Sequence, residues 1–491
     1  MRACALAVLL FATLASAQDE AAPLSSDAPV AQSALDAGVV LLPALEPVAP
    51  VQPAVIERRY NLLLPILEAE ALHFTLAAAN NLLSREAFAQ VSWDSTVAHF
   101  DGRVPWTFDV DSFVINQFGH PYQGTLAFTA ARSSGISFWW ACIYPFMASL
   151  TWELFFEVDG PSFNDQITTP LGGIYLGEVL HRTSLLVLRG KEAPKWLRVL
   201  GAFLLEPVGQ LNRWMLDERL DAEDVQDFPP TFAMVGGGVA VGSAFRDPNT
   251  FEIIRVLAPQ GNVNGRMTYG MPGDPSFRYT TPFSHFDVDF NITFPGPTVS
   301  SVFTRGLLAG KQFGSGKTRG LWGLFGQYDF AEASLLRVSS VGFGIGTSFQ
   351  TVLPANFTFQ LAGVLSAVPL SSAGSLGLQE GVVRDYHTGP GGQAVAEARL
   401  IWNDRAWLRV AARTWFIAGL YIDAPGWESI SYLTVGPLVR LWGPMAVGAD
   451  VVMALRRAKF DDDLFDRSVT GATVRVTLNW ISEESLGAVG R

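Results

Sequence analysis

Charge is scarce in this sequence. Only 16% of its 491 residues are Asp, Glu, Lys or Arg, against about 25% in an ordinary soluble domain. An excess of positive charge is missing altogether. The formal net charge is −12, which excludes the basic footprint that nucleic-acid binding requires, and no polybasic run is present to bind anionic lipid. Cysteine is nearly absent too. Cys4 falls in the leader described below, and Cys142 alone can form neither an internal disulfide nor a cysteine metal cluster. It reads as a small core residue. What is abundant is apolar: 49% hydrophobic residues, with 34 Phe, 14 Trp and 46 Gly. This composition suits a protein that shows much of its surface to lipid better than it suits a large soluble enzyme. The length exceeds one ordinary core, so two or more domains are expected.

The first residues read as a secretory signal over 1–17. Arg2 supplies a positive start, Ala3 to Leu14 an apolar run, and Ala15-Ser16-Ala17 a small-x-small cleavage site. The run is too short to span a bilayer, and Cys4 is too early to be a lipoprotein attachment cysteine. Residues 18–53, rich in Ala, Pro, Ser and acids without aromatics, predict a disordered, extended periplasmic linker.

Residues 54–222 predict a helical domain of about five helices. Tyr60 to Leu83 carries apolar residues at three-to-four spacing, and Pro121 stands where a helix can begin. Ile136 to Val158 is long and nearly apolar, broken by Pro145, which raises the question of an inner-membrane helix. Glu153 and Glu157 weigh against it, because charge at bilayer depth is costly, and a stop-transfer helix there would block export of everything downstream. The stretch is read as a buried core helix.

From about Thr231 the period changes to two. Phe286, Val288, Phe290, Ile292 and Phe294 alternate with His285, Asp287, Asp289, Asn291 and Thr293, and Val474, Val476, Leu478 and Trp480 alternate with Thr473, Arg475, Thr477 and Asn479. Such strands are apolar on one face and polar on the other. Residues 230–482 therefore predict an antiparallel transmembrane β-barrel of roughly 12 strands, followed by a short tail, 483–491. Asn403-Asp404 and Gly314 to Thr318 read as tight turns. The polar stretches Asn262 to Thr280, Ser371 to Gly392 and Lys459 to Arg467 read as long loops of one rim. Trp322, Trp402, Trp407, Trp415, Trp427, Trp442 and Trp480 lie near strand ends, where aromatic girdles form. The competing reading is a soluble all-β domain, whose apolar face would need a second sheet. Gly236-Gly237-Gly238 sits in a strand with no helix after it, so it is not a dinucleotide fingerprint.

The helical domain also holds polar residues in apolar surroundings: Asn116-Gln117-x-x-His120-Pro121-Tyr122-x-Gly124, Arg132-x-x-Gly135, Trp152-Glu153, Ser162-x-Asn164-Asp165-x-x-Thr168, and Gly177-Glu178-x-x-x-Arg182. In this order the motifs resemble the bacterial family designated domain of unknown function 3943, over about residues 90–220. The resemblance implies no activity, since the family has none assigned, and it does not reach the barrel.

Read physically, Glu178 and Arg182 share a helix face and can pair. Asn164 or Ser162 can cap a helix with Asp165 in its first turn. Glu153 finds Arg132 or Arg182, or stays protonated. The plainest reading is a buried polar network of Asn116, Gln117, Tyr122, Arg132, Asn164, Thr168, Glu178 and Arg182 that locks helices together or to a barrel lumen. The sharper one is a hydrolytic site, with His120 as general base, Asp165 or Glu153 orienting it, and Ser162 or Ser184 as nucleophile, although a G-x-S-x-G elbow is missing. A metal set of His120, Asp165, Glu178 and His181 has poor spacing, so neither a metal nor a cofactor is expected. The function expected is that of an exported outer-membrane barrel whose helical domain plugs or docks on it, with a structural or small-molecule passage role. The alternative is an envelope hydrolase acting on lipid or cell-wall material. The partners expected are outer-membrane lipid and a small-molecule or lipid substrate.

Overall fold

The computed structural model describes residues 61–216 and 228–489, except 86, 110, 191–192, 246–252, 295–298, 333–335, 375–385, 420–424, 461–466 and 483–485. The expected signal segment, 1–17, and linker, 18–53, lie outside the described residues.

Helices fill the first part, as the three-to-four spacing predicts. Leu64–Ala79 (α1) runs into a π-turn, Asn80–Ser84. Trp93–Asp101 (α2) follows, and a second π-turn, Ile115–Gly119, leads directly into His120–Ser133 (α3). Phe138–Ala141 (α4), Ile143–Phe155 (α5), Asp165–Arg189 (α6), Lys195–Leu205 (α7) and Pro207–Leu216 (α8) complete the set. Sequence reading does not anticipate α2, whose start is fixed by a reciprocal capping box between Ser92 and Ser95. Pro145 falls in the first turn of α5, a position proline tolerates, so the chain breaks before it and the apolar stretch becomes two short elements. None of the described helices is long and apolar enough to cross a membrane. The expectation of a buried core helix holds on one face of α5 only. Tyr144, Ala148, Trp152 and Glu153 are buried, whereas Ile143, Phe146, Met147, Leu150 and Phe155 are exposed.

The glycines of the sequence motifs set how α3 and α6 cross. A β-carbon at Gly173 would lie 2.5 Å from the carbonyl carbon of Gly124, so the two backbones touch there and neither position accepts a side chain.

Twelve antiparallel strands close into a barrel in sequence order, β1 pairing β12. They are Thr231–Phe245 (β1), Ile253–Tyr269 (β2), Phe286–Phe294 (β3), Ser301–Ser315 (β4), Thr318–Glu332 (β5), Arg337–Val352 (β6), Phe357–Gly374 (β7), His387–Trp402 (β8), Ala406–Gly419 (β9), Gly426–Trp442 (β10), Met445–Phe460 (β11) and Arg467–Ile481 (β12). All but the nine-residue β3 hold 14 to 18 residues, more than the ~10 that a tilted strand needs to cross a bilayer. Two-residue turns at Gly316-Lys317 and Gly443-Pro444 and the tight turn at Asn403-Asp404 join strands at the rim where β1 begins. The stretches read as long loops are partly strand: Asn262 to Tyr269 ends β2, Ser371 to Gly374 ends β7, and His387 to Gly392 opens β8.

Alternation sorts the side chains as expected. Val239, Trp322, Ile345, Leu365, Trp402 and Val476 point outward and are exposed. Trp322, Trp402, Trp427 and Trp442 are exposed, as a girdle requires, but Trp407 and Trp415 are buried. They face inward, where Trp415 packs on Phe303 and Tyr432, and Trp407 on Phe232.

Opposite-parity residues fill the lumen with ion pairs. Arg266 bonds Asp289 at 2.7 Å and Glu397 at 2.6 Å, and Arg409 bonds Glu397 at 2.8 Å. Asp329 takes Arg413 and Gln393, and Glu428 takes Arg456. At the short-turn rim Phe232, Met271, Ile401, Trp407 and Leu486 form an apolar cluster, and Trp415, Ile417, Ile430 and Val338 form another towards the opposite rim. Residues 486–489 enter the cylinder after β12, with Gln350 donating to the Val489 carbonyl at 2.5 Å and Gln360 to the Gly487 carbonyl at 2.7 Å. A cavity of about 110 Å³ lined by Arg266, Asp289, Arg409, Asp450 and Arg475 remains between them, room for a few water molecules.

The helical domain lies on the outer wall. In β5, Trp322 is exposed to the outside, while Gly326, Tyr328 and Phe330 on the same face are covered. A cluster of Phe113, Phe128, Phe138, Tyr175 and Val179 covers them, together with Met267, Phe286, Val341 and Leu370 of neighbouring strands. Phe113 stacks on Phe330 at 5.7 Å, and Phe138 and Tyr175 stack on Phe283. The described helices therefore dock against the barrel and do not plug it. The lumen is filled by its own side chains, by part of the β2–β3 connection and by residues 486–489.

Candidate functional site

Among the described residues, the polar residues singled out by the sequence fall mainly into three clusters in the helical domain. The first gathers His120, Glu153, Ser162 and Asp165 at the start of α3, the end of α5 and the start of α6; of the set a hydrolase would bring together, His120, Glu153, Asp165 and Glu178, it lacks Glu178, which pairs with Arg132 and Arg182 elsewhere. The Ser162 hydroxyl accepts the Asp165 N–H at 3.2 Å and so caps α6. The same hydroxyl donates to Asn164 Oδ1 at 2.9 Å. Asn164 Oδ1 also accepts the Asp109 N–H at 2.8 Å, and Asn164 Nδ2 donates to Asp165. Thr168 donates to the Asn164 carbonyl at 3.0 Å. Glu153 Oε2 accepts the Ser162 N–H at 2.7 Å. His120 Nε2 stands 4.0 Å from Asp165 Oδ2. Among the described residues Ser162 is engaged by Asn164 and Asp165, not by His120.

Asp109, Asp111 and Glu157 join this cluster. The Asp-x-Asp spacing ahead of His120 is visible in the sequence, but an acidic pair in a connecting segment is ordinary, and only the fold carries it to His120. Glu157 accepts the Trp152 indole N–H at 2.5 Å. Burial, together with the nearby charges of Glu157 and Asp165, pushes the Glu153 carboxyl up to about 10, against the pull of the Ser162 N–H. Burial likewise pushes Glu157 up to about 7, opposed by His120 and the Trp152 bond. For His120, burial disfavours the imidazolium, but Asp165, Glu157, Asp109 and Asp111 outweigh it and hold its pKa above the usual histidine range. The sequence alternative that Glu153 stays protonated is the one this environment favours, because both arginines offered to it are bound elsewhere.

Those arginines build the second cluster. Glu178, fully buried, accepts Arg132 at 2.8 Å and Arg182 at 2.8 Å. Arg182 also donates to the Pro282 carbonyl at 2.8 Å and to Thr281, and lies over the Tyr269 ring, so the cluster joins α3 and α6 to the barrel. Burial works against the Glu178 carboxylate, yet Arg132 and Arg182 overcome it and bring its pKa down to about 2. In the third cluster His181 Nδ1 lies 2.6 Å from Glu206, which also accepts Arg213 at 3.1 Å. The metal set suggested by sequence spacing is thus divided among all three clusters: His120 and Asp165 in one, Glu178 in another, His181 in the last.

Asn116 donates to Tyr386 Oη at 2.7 Å, Tyr386 Oη donates to the Asp111 carbonyl at 2.8 Å, and Tyr328 Oη donates to the Gln117 carbonyl at 2.7 Å. Asn116 and Gln117 are docking contacts, and Tyr122 stacks on Phe118.

Residues 105–208 match the family model described as Domain of unknown function (DUF3943), which covers all three clusters up to Glu206. No curated protein matches the chain. Among solved structures, the anion-selective porin from Comamonas acidovorans is 10% identical, covering 51% of this chain and 98% of that chain at a TM-score of 0.22. The CymD monoaromatic hydrocarbon channel is 8% identical, covering 55% and 92% at 0.23, and Pseudomonas aeruginosa OpdQ is 9% identical, covering 51% and 98% at 0.19. Likeness at this level carries nothing about function.

Proposed function

We propose that this chain, with its segment matching the family of unknown function, is an outer-membrane protein in which a filled barrel anchors a lipid-facing helical domain. The observation that carries the reading is where the helices sit. They cover part of the barrel's outer wall and turn a second apolar surface away from it: Trp139, Trp140, Phe146, Trp196, Phe203 and Trp214 are 43% to 82% exposed. An apolar surface of this extent on a soluble domain is a liability, whereas beside a barrel wall it continues the surface that acyl chains cover. A structural role in the envelope follows from this arrangement. Passage of a small molecule would require the ion pairs around Arg266 and Glu397, and both apolar rim clusters, to part.

Planar-bilayer recording of the purified full chain tests this. Stable insertion without discrete conductance steps is the expected result. Steps that persist across preparations and scale with protein added would refute the anchoring role and support passage.

A further inference from the structure

Asp109, Asp111 and His120 each bring one ligand atom to within 4.8 Å of the others. Two features mark this as more than an acidic cluster. Asp109 Oδ2 is buried with no hydrogen-bond partner among the described residues. His120 is only 8% exposed, and the nearest carboxylate paired with its ring, Asp165, stands 4.0 Å away, beyond hydrogen-bond reach. Buried polar groups ordinarily find partners. Here a carboxylate oxygen of Asp109 lacks one, in a segment that the fold brings beside the His120 ring.

We propose that Asp109, Asp111 and His120 bind one divalent transition-metal cation, such as Zn²⁺ or Mn²⁺. Two carboxylates supply the negative charge that a dication needs, and one imidazole nitrogen favours a transition metal over Mg²⁺ or Ca²⁺, which prefer oxygen alone. The separations close to a coordination shell by small side-chain rotations, which the exposed Asp111 can make freely. The Asp109 N–H is already held by Asn164 Oδ1 at 2.8 Å, so this residue's backbone is in place before a cation arrives. Asp165, 4.0 Å from His120 Nε2, adds a further negative charge beside the site. Three protein ligands leave coordination positions open to water, the arrangement of a reactive site and not of a closed structural one. The inference does not depend on the barrel's role as an anchor, because a pore could carry the same site.

The test is equilibrium dialysis of the full chain, purified without a histidine tag, solubilised in detergent, stripped with chelator, and offered Zn²⁺, Mn²⁺, Mg²⁺ or Ca²⁺ separately. One Zn²⁺ or Mn²⁺ per chain is expected, with affinity weakened about tenfold or more in Asp111→Asn and His120→Gln. Asp111 is exposed, so its variant folds as the parent does, and its heat-modifiable gel mobility checks this. A cation raises the unfolding temperature of the parent, and that rise should vanish in His120→Gln. Absence of stoichiometric Zn²⁺ and Mn²⁺ binding overturns the proposal. So does binding that Asp111→Asn and His120→Gln leave unchanged, or a preference for Mg²⁺ or Ca²⁺.

Discussion

Glu178 is the fully buried carboxylate through which the helical domain holds its two arginines, one of which reaches the barrel. Its pKa of about 2 in place of 4.5 is a shift of about 2.5, which at ~1.36 kcal/mol per unit corresponds to about 3 kcal/mol of folded-state preference for the charged form. Glu178→Gln keeps the shape and removes the charge, leaving Arg132 and Arg182 buried without their counter-ion. A loss of about 3–5 kcal/mol is expected. The sign with pH follows from the depressed folded pKa. The contribution is fully present above 4.5 and is lost as pH falls towards 2, so the difference between parent and variant should shrink over that interval. Urea unfolding of the full chain in detergent, followed by near-ultraviolet circular dichroism, reads the helical domain, and gel mobility of unheated samples reports the barrel separately. A variant within about 0.5 kcal/mol of the parent at pH 7, or a difference that does not shrink on acidification, would refute the reasoning.

Two further predictions concern docking and the acid cluster. At Gly326 an added β-carbon meets the Tyr175 ring, so Gly326→Leu should lift α6 from the wall and cost about 1–3 kcal/mol. Faster proteolysis of the helical domain with an intact barrel is the expected readout, and unchanged protection counts against the outer-wall placement. Glu153, with its folded pKa raised to about 10, contributes its stability below pH 4.5 and loses it progressively as pH rises through the folded value. Glu153→Gln, whose amide oxygen still accepts the Ser162 N–H, should flatten the fall in unfolding temperature on the alkaline side. Parallel profiles for parent and variant would show that the carboxyl is already ionised at neutral pH.

The barrel was legible because a period of two leaves its mark in every strand. Val474, Val476 and Leu478 are exposed in the structure, and Thr477 and Asn479 are buried in the lumen. The placement of the helices was not legible. Tyr328 and Phe330 obey the same alternation as Trp322, and nothing local distinguishes a wall residue covered by lipid from one covered by protein. The buried tryptophans escaped for a related reason, since indole suits an interfacial girdle and a packed lumen equally well. The Glu178–Arg182 pair followed from four-residue helical spacing. The meeting of Asp109 and Asp111 with His120 did not, because it depends on where a connecting segment returns. The motif glycines, quoted alongside the polar residues, turn out to serve helix crossing: Gly124 and Gly173 exist to let two backbones touch.

Residues 486–489 follow the strand that seals the cylinder, yet they rest within it on Gln350 and Gln360. A segment in that position fills space that no strand residue reaches, so the interior at this rim depends on chain that takes no part in the strand ladder. Shortening or lengthening the sequence after β12 would therefore change how the cylinder is filled while leaving its strand pairing intact.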